Sequence, residues 1–137
     1  MKNRSLKFIS IITLTLLAVI LTGCISLDGK PSEIVKNFVF SRYYILMSEE
    51  YKQNVSETDF EAKINECKPE WKHYEFIEVI NETIEGNIAR VEIKYKEKYD
   101  GAPLDTFTDI KTDTILLVKE NNGWRLQNLN CKLVGKP

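Results

Sequence analysis

A single histidine, His73, is all the imidazole this 137-residue chain carries, and that scarcity closes off several chemistries. A protein zinc site takes three or four ligands at suitable spacing. His73 with Cys67 and Cys131, widely separated along the chain, does not supply them, so no metal is expected. As a general base His73 would need an orienting partner. Its neighbour is Lys72, and a surface position at a strand end is the simpler reading. There is no Gly-rich phosphate loop, no internal repeat and no low-complexity linker, so no bound cofactor is expected. Basic residues are not clustered either. The 19 Lys and Arg are scattered among 20 Asp and Glu, for a net charge of −1. Nucleic-acid binding depends on a clustered basic face that neutralises phosphates, so no nucleic-acid partner is expected.

An apolar run long enough to span a bilayer is also missing. Phe8 to Leu21 is almost wholly apolar but covers 14 residues, where a transmembrane helix takes about 20. An uncleaved anchor helix therefore fits less well than a processed signal. Lys2, Arg4 and Lys7 form a positive start, and small residues precede Cys24. Leu21-Thr22-Gly23-Cys24 resembles the lipobox of prokaryotic lipoproteins. The resemblance implies that residues 1–23 are a signal peptide. It also implies that the Cys24 thiol takes a diacylglyceryl group, and that lipid on Cys24 holds the protein at the outer face of the cell membrane. Two acyl chains hold firmly where one is marginal. Cleavage leaves 16 basic against 20 acidic residues, a net of −4. There is then no polybasic segment to act as a second anchor, and the lipid must do the holding.

Cys67 and Cys131 remain. In an oxidising compartment they can close a bridge, stabilising the fold by about 4 kcal/mol on the chain-entropy model. Two buried free thiols, behaving as small apolar side chains, satisfy the sequence equally.

Residues 24–30 read as a tether and 31–137 as one domain. Pro31-Ser32-Glu33 opens a helix whose stripe is Ile34, Val35, Phe38 and Val39, expected over 31–44. Tyr43 to Met47 extend it as a second short helical piece, and Ser48-Glu49-Glu50-Tyr51 starts another turn. Ser56-Glu57-Thr58-Asp59 resembles a capping box with Asp for Glu, and Pro69 ends the helix that follows. The period then becomes two. His73 to Ile84 is a strand, and Gly86-Asn87 signals a hairpin. Ala89, Val91, Ile93 and Tyr95 alternate with charged residues in the clearest strand. After a turn at Asp100-Gly101-Ala102-Pro103, Thr106 to Lys119 is a long strand, and its Ile115 to Val118 run marks it as central. Asn122-Gly123 signals a type I′ turn. Trp124, Leu126, Leu129, Cys131 and Leu133 read as a last strand with a bulge after Leu126, where the parity changes. The expectation is an α+β domain, with N-terminal helices packed on a curved four-stranded antiparallel sheet. Val35, Phe38, Val91, Ile93, Leu116 and Trp124 are expected to share its core.

This order of helices and strands, with a closing Asn121-Asn122-Gly123-Trp124-Arg125-Leu126 hairpin, resembles the cystatin-like superfamily named after nuclear transport factor two. It is similar, more closely, to small prokaryotic lipoproteins of unknown function with that fold. The parts that carry the resemblance are Pro31 to Val39, Ser48 to Tyr51 and Val118 to Leu126, within about 31–130. The resemblance implies a cone-shaped pocket that serves as an enzyme site in some members (isomerases and dehydratases) and as a binding or dimerisation module in others. Tyr44, Tyr95, Phe107 and Asp109 are the candidate pocket residues. An enzyme would use Asp109 or His73. Asp109 and Asp113 fall on one face of the same strand, but no partner group for them is visible. A binding or interaction module with an unknown small ligand or protein partner is the favoured expectation, and a dimer-forming envelope component is an alternative. Asn54-Val55-Ser56 and Asn81-Glu82-Thr83 match the glycosylation acceptor pattern.

Overall fold

The computed structural model describes residues 29–68, 72–99 and 110–135. The expected signal peptide over 1–23, Cys24, Pro69, Trp71, the expected turn at 100–103, and Phe107 and Asp109 lie outside the described residues. Helices come first and four antiparallel strands follow, the α+β order the sequence predicts.

Helix α1 spans Pro31–Ser41. Proline suits the first position because its missing N–H would have no helical partner there. Glu33 turns its carboxylate back to accept the Lys30 backbone N–H at 3.1 Å. Ile34, Val35 and Phe38 are the buried stripe. The helix stops short of the expected residue 44 because Arg42 enters the left-handed region, at φ 53° and ψ 35°. The Arg42 backbone N–H still reaches the Phe38 carbonyl at 2.8 Å, and its guanidinium donates to the Gly135 carbonyl. A 3-10 turn, Tyr44–Leu46, follows.

Helix α2 is Glu49–Asn54, capped by Ser48, whose hydroxyl accepts from the Tyr51 N–H at 3.2 Å. Helix α3 is Glu57–Glu66, capped by Ser56, which accepts from the Asp59 N–H at 3.1 Å. The Asp59 carboxylate takes the Ser56 hydroxyl at 2.7 Å rather than the backbone N–H. Aspartate is one methylene shorter than the glutamate of a capping box, so one half of the box is replaced by a side-chain bond.

Strands β1 (Lys72–Glu85), β2 (Ile88–Tyr99), β3 (Ile110–Glu120) and β4 (Gly123–Leu126) lie in chain order across the sheet. Gly86 joins β1 to β2 at φ 63°, a conformation glycine adopts without steric cost. The second hairpin differs from the type I′ turn expected. Glu120 pairs with Gly123, so the turn residues are Asn121 and Asn122. Type I′ needs positive φ at both central positions. Here only Gly123, just after the turn, has it, at 104°. The last strand is also shorter than expected. It ends at Leu126, and the chain turns away into a 3-10 turn at Cys131–Leu133. The parity change after Leu126 therefore marks where the chain leaves the sheet, and Leu129 and Leu133 are apolar because they pack over the core as a loop. The bulges are in β1, where register shifts leave Ile77 and Ile80 unpaired. Bulges blunt a long edge strand against unwanted pairing. At the other edge, Met47 bridges Leu126 and the Ser48 N–H donates to the Leu126 carbonyl at 2.8 Å.

The core joins Val35 and Phe38 of α1 to Val91, Ile93, Leu117, Trp124 and Leu126 of the sheet. Leu116, expected in this core, is 39% exposed, whereas Ile115 is 2% and Leu117 0% exposed. In a run of four apolar residues the alternation carries no sign, and pairing with Val91 and Ala89 is what turns Ile115 and Leu117 inward. The outer face is charged. It carries ion pairs such as Arg90–Glu85 at 2.7 Å and Lys94–Glu78 at 2.9 Å. Exposed pairs of this kind contribute about 0–1 kcal/mol each.

Candidate functional site

The Ser48 cap fixes the start of α2 and so sets Tyr51 one turn in. The Tyr51 ring stands edge-on to Phe60 of α3, with centroids 6.4 Å apart. Phe60 in turn packs against Phe38 and Tyr44. Tyr51 therefore forms the end of an aromatic chain that begins in the core and stops at a groove. The groove has a volume of about 470 Å³ and lies between the two helices and the segment after β4. Val55, Cys67, Asn128, Leu129 and Cys131 line it with Tyr51. A second hollow of about 360 Å³ continues past Tyr51, Val55 and Asn128 towards Asn54 and Gln127. Small-molecule sites run from roughly 300 to 1,000 Å³ and combine apolar walls with a few polar groups.

The Tyr51 hydroxyl oxygen is buried and has no hydrogen-bond partner. A buried polar group left unpaired costs about 1–3 kcal/mol. Burial, with the nearby Tyr44 hydroxyl as the lesser cause, pushes the Tyr51 phenol above its ordinary range, so it stays a neutral donor and acceptor at physiological pH. Tyr44 differs, since its hydroxyl donates to the Val55 carbonyl.

One wall is covalent. Cys67 at the end of α3 and Cys131 are joined by a disulfide, so the bridged alternative holds and the free-thiol one does not. Lys63 and Glu66 of α3 add one charge of each sign at the rim.

Of the expected pocket residues, Tyr44 and Tyr95 are not among the residues lining this groove, and Phe107 and Asp109 lie outside the described residues. Tyr44 packs on Phe60, with centroids 5.3 Å apart, and Tyr95 on Tyr74 at 5.8 Å. The His73 backbone pairs with Lys98, and its side chain lies outside the described residues. Asp113 does face inward, opposite Ile93, but it is occupied. Its carboxylate accepts from Asn130 at 3.1 Å and pairs with Lys132 at 3.1 Å. Burial pushes its pKa up. The hydrogen bonds from Asn130, Lys132 and the Thr114 backbone outweigh that and hold it below the usual carboxylate range. A carboxylate so held is a poor general acid near neutrality. Among the described residues no group of three or more His, Cys, Asp or Glu could hold a metal ion. Tyr51 and Asn128 are absent from the sequence-derived candidates. The one signal for Tyr51 is its place three residues after a capping serine; Asn128 has none. No protein-family model matches the chain, and no curated protein matches it.

Proposed function

We propose that this chain is an extracytoplasmic lipoprotein, held on the membrane by lipid on Cys24, whose domain binds a small ligand or a partner's side chain in the Tyr51 groove. The Cys67–Cys131 bond carries the reading. A disulfide suits an oxidising compartment outside the cytoplasm. It also commits both cysteines of the domain and leaves Cys24, in its lipobox-like setting, as the thiol free for lipid. The same bond closes one side of the groove. Tyr51, whose buried hydroxyl is unpaired, lines that groove. On this reading the domain is a binding relative of the superfamily named after nuclear transport factor two, a placement supported by helices followed by a four-stranded meander.

The test is Cys24→Ser in the native host, followed by labelling with a radioactive fatty acid and membrane fractionation. The variant is expected to take up no label and to leave the membrane fraction or accumulate unprocessed. A variant that still takes up label and fractionates unchanged contradicts the anchoring.

A further inference from the structure

We propose that the corner between α1 and the following 3-10 turn is a membrane-docking surface, with Phe40, Tyr43 and Ile45 entering the bilayer interface to which the chain is tethered. This rests on the lipid-anchor reading above. Phe40 is 85% exposed, Tyr43 50% and Ile45 52%. They fall within six consecutive positions, which gathers three exposed apolar side chains at one corner. Phe40 lies on the side of α1 away from the core stripe of Ile34 and Phe38.

The corner is also built with care. Arg42, between Phe40 and Tyr43, is the one non-glycine with positive φ among the described residues. That conformation is strained for a residue with a Cβ, and it is held from across the fold by the bond from the Arg42 guanidinium to the Gly135 carbonyl. The fixed turn ends α1 and projects the apolar side chains on either side of it.

The leash supplies the partner. Six residues separate Cys24 from Pro31, so the seven steps between their Cα atoms reach at most about 25 Å. Phe40 is about 14 Å further along α1. The corner is therefore confined within a few tens of ångströms of the bilayer. Aromatic and aliphatic side chains partition to the headgroup level. Lys36, one turn before Phe40 and exposed, is placed to meet a phosphate. Because the mature chain is net acidic, the attraction must come from apolar insertion, not from overall charge.

The full-length lipidated protein is reconstituted in liposomes of phosphatidylethanolamine and phosphatidylglycerol containing acyl-brominated lipid. Tryptophan quenching is compared for Phe40→Trp, Tyr43→Trp and Thr112→Trp, each after subtracting the parent chain. Thr112 is exposed on the sheet face opposite α1. The expected result is severalfold stronger quenching at positions 40 and 43 than at 112, unchanged in concentrated salt. Equal quenching at all three positions on a chain that floats with the liposomes overturns the docking and leaves the anchor intact. Quenching at 40 and 43 that disappears in salt overturns apolar insertion. A chain that carries no lipid and does not float overturns the anchor, and the docking with it.

Discussion

Cys67 and Cys131 stand 64 positions apart in the chain and are joined by a disulfide across 5.0 Å between their Cα atoms. The bond ties the end of α3 to the segment that leaves the sheet after β4, so the helical layer and the C-terminus are one covalent unit. Replacing both by alanine is expected to cost about 4 kcal/mol, from the entropy of the opened loop. Urea unfolding of residues 25–137 measures it, and thiol counting on unreduced, denatured protein should find neither cysteine free.

Leu116 and Leu117 are adjacent in sequence and opposite in fate. Leu117→Ala should cost about 2–5 kcal/mol by leaving a cavity, and Leu116→Ala under about 1 kcal/mol. Trp124→Ala should cost about 3–5 kcal/mol, because the indole lies in the same core. A Leu116→Ala variant more damaging than Leu117→Ala, in the same urea experiment, would place β3 in the wrong register.

What was legible in the sequence was local. The alternation of Ala89, Val91, Ile93 and Tyr95 gives β2 because a half-buried strand imposes period two. Ser48 and Ser56 give two helix starts because their hydroxyls satisfy otherwise unpaired N–H groups. Arg42 was not legible, since a left-handed position normally calls for Gly or Asn and its support, Gly135, lies at the far end of the chain. Nor was the end of β4, where Leu129 and Leu133 keep strand-like spacing while packing as a loop. The groove was hidden for the same reason: Tyr51 and Asn128 meet only through the fold.

Tyr51→Phe tests whether the hydroxyl is kept for binding or for stability. Removing a buried, unpaired hydroxyl should leave the fold as stable or raise it by up to about 1–3 kcal/mol. A clear loss in urea unfolding would show that the hydroxyl already has a structural partner.

Asp113 predicts a pH signature. Its folded-state pKa is lowered, so its contribution is present above the unfolded value of about 3.9 and is lost as pH falls through the lower folded value. Asp113→Asn should therefore destabilise the domain at pH 7, and the gap between variant and parent should close as the pH drops below about 4. Thermal unfolding of both chains from pH 7 to pH 3 measures it. A gap that widens on acidification contradicts the Asp113–Lys132 assignment.

Gly135 is where the C-terminal segment approaches β1, and a Cβ there would overlap the Tyr74 carbonyl. Gly135→Ala should cost about 1–3 kcal/mol, as overpacking does. Because the Gly135 carbonyl also holds Arg42, the substitution should loosen the Phe40–Ile45 corner, which is readable as faster hydrogen exchange at residues 40–46.

The intact mass of the protein extracted from membranes of its native host bears most directly on the whole account. The expected chain begins at Cys24, carries a diacylglyceryl group there, and gains two hydrogens only on reduction of Cys67–Cys131. A chain that retains residues 1–23, or begins at Cys24 without lipid, would contradict it.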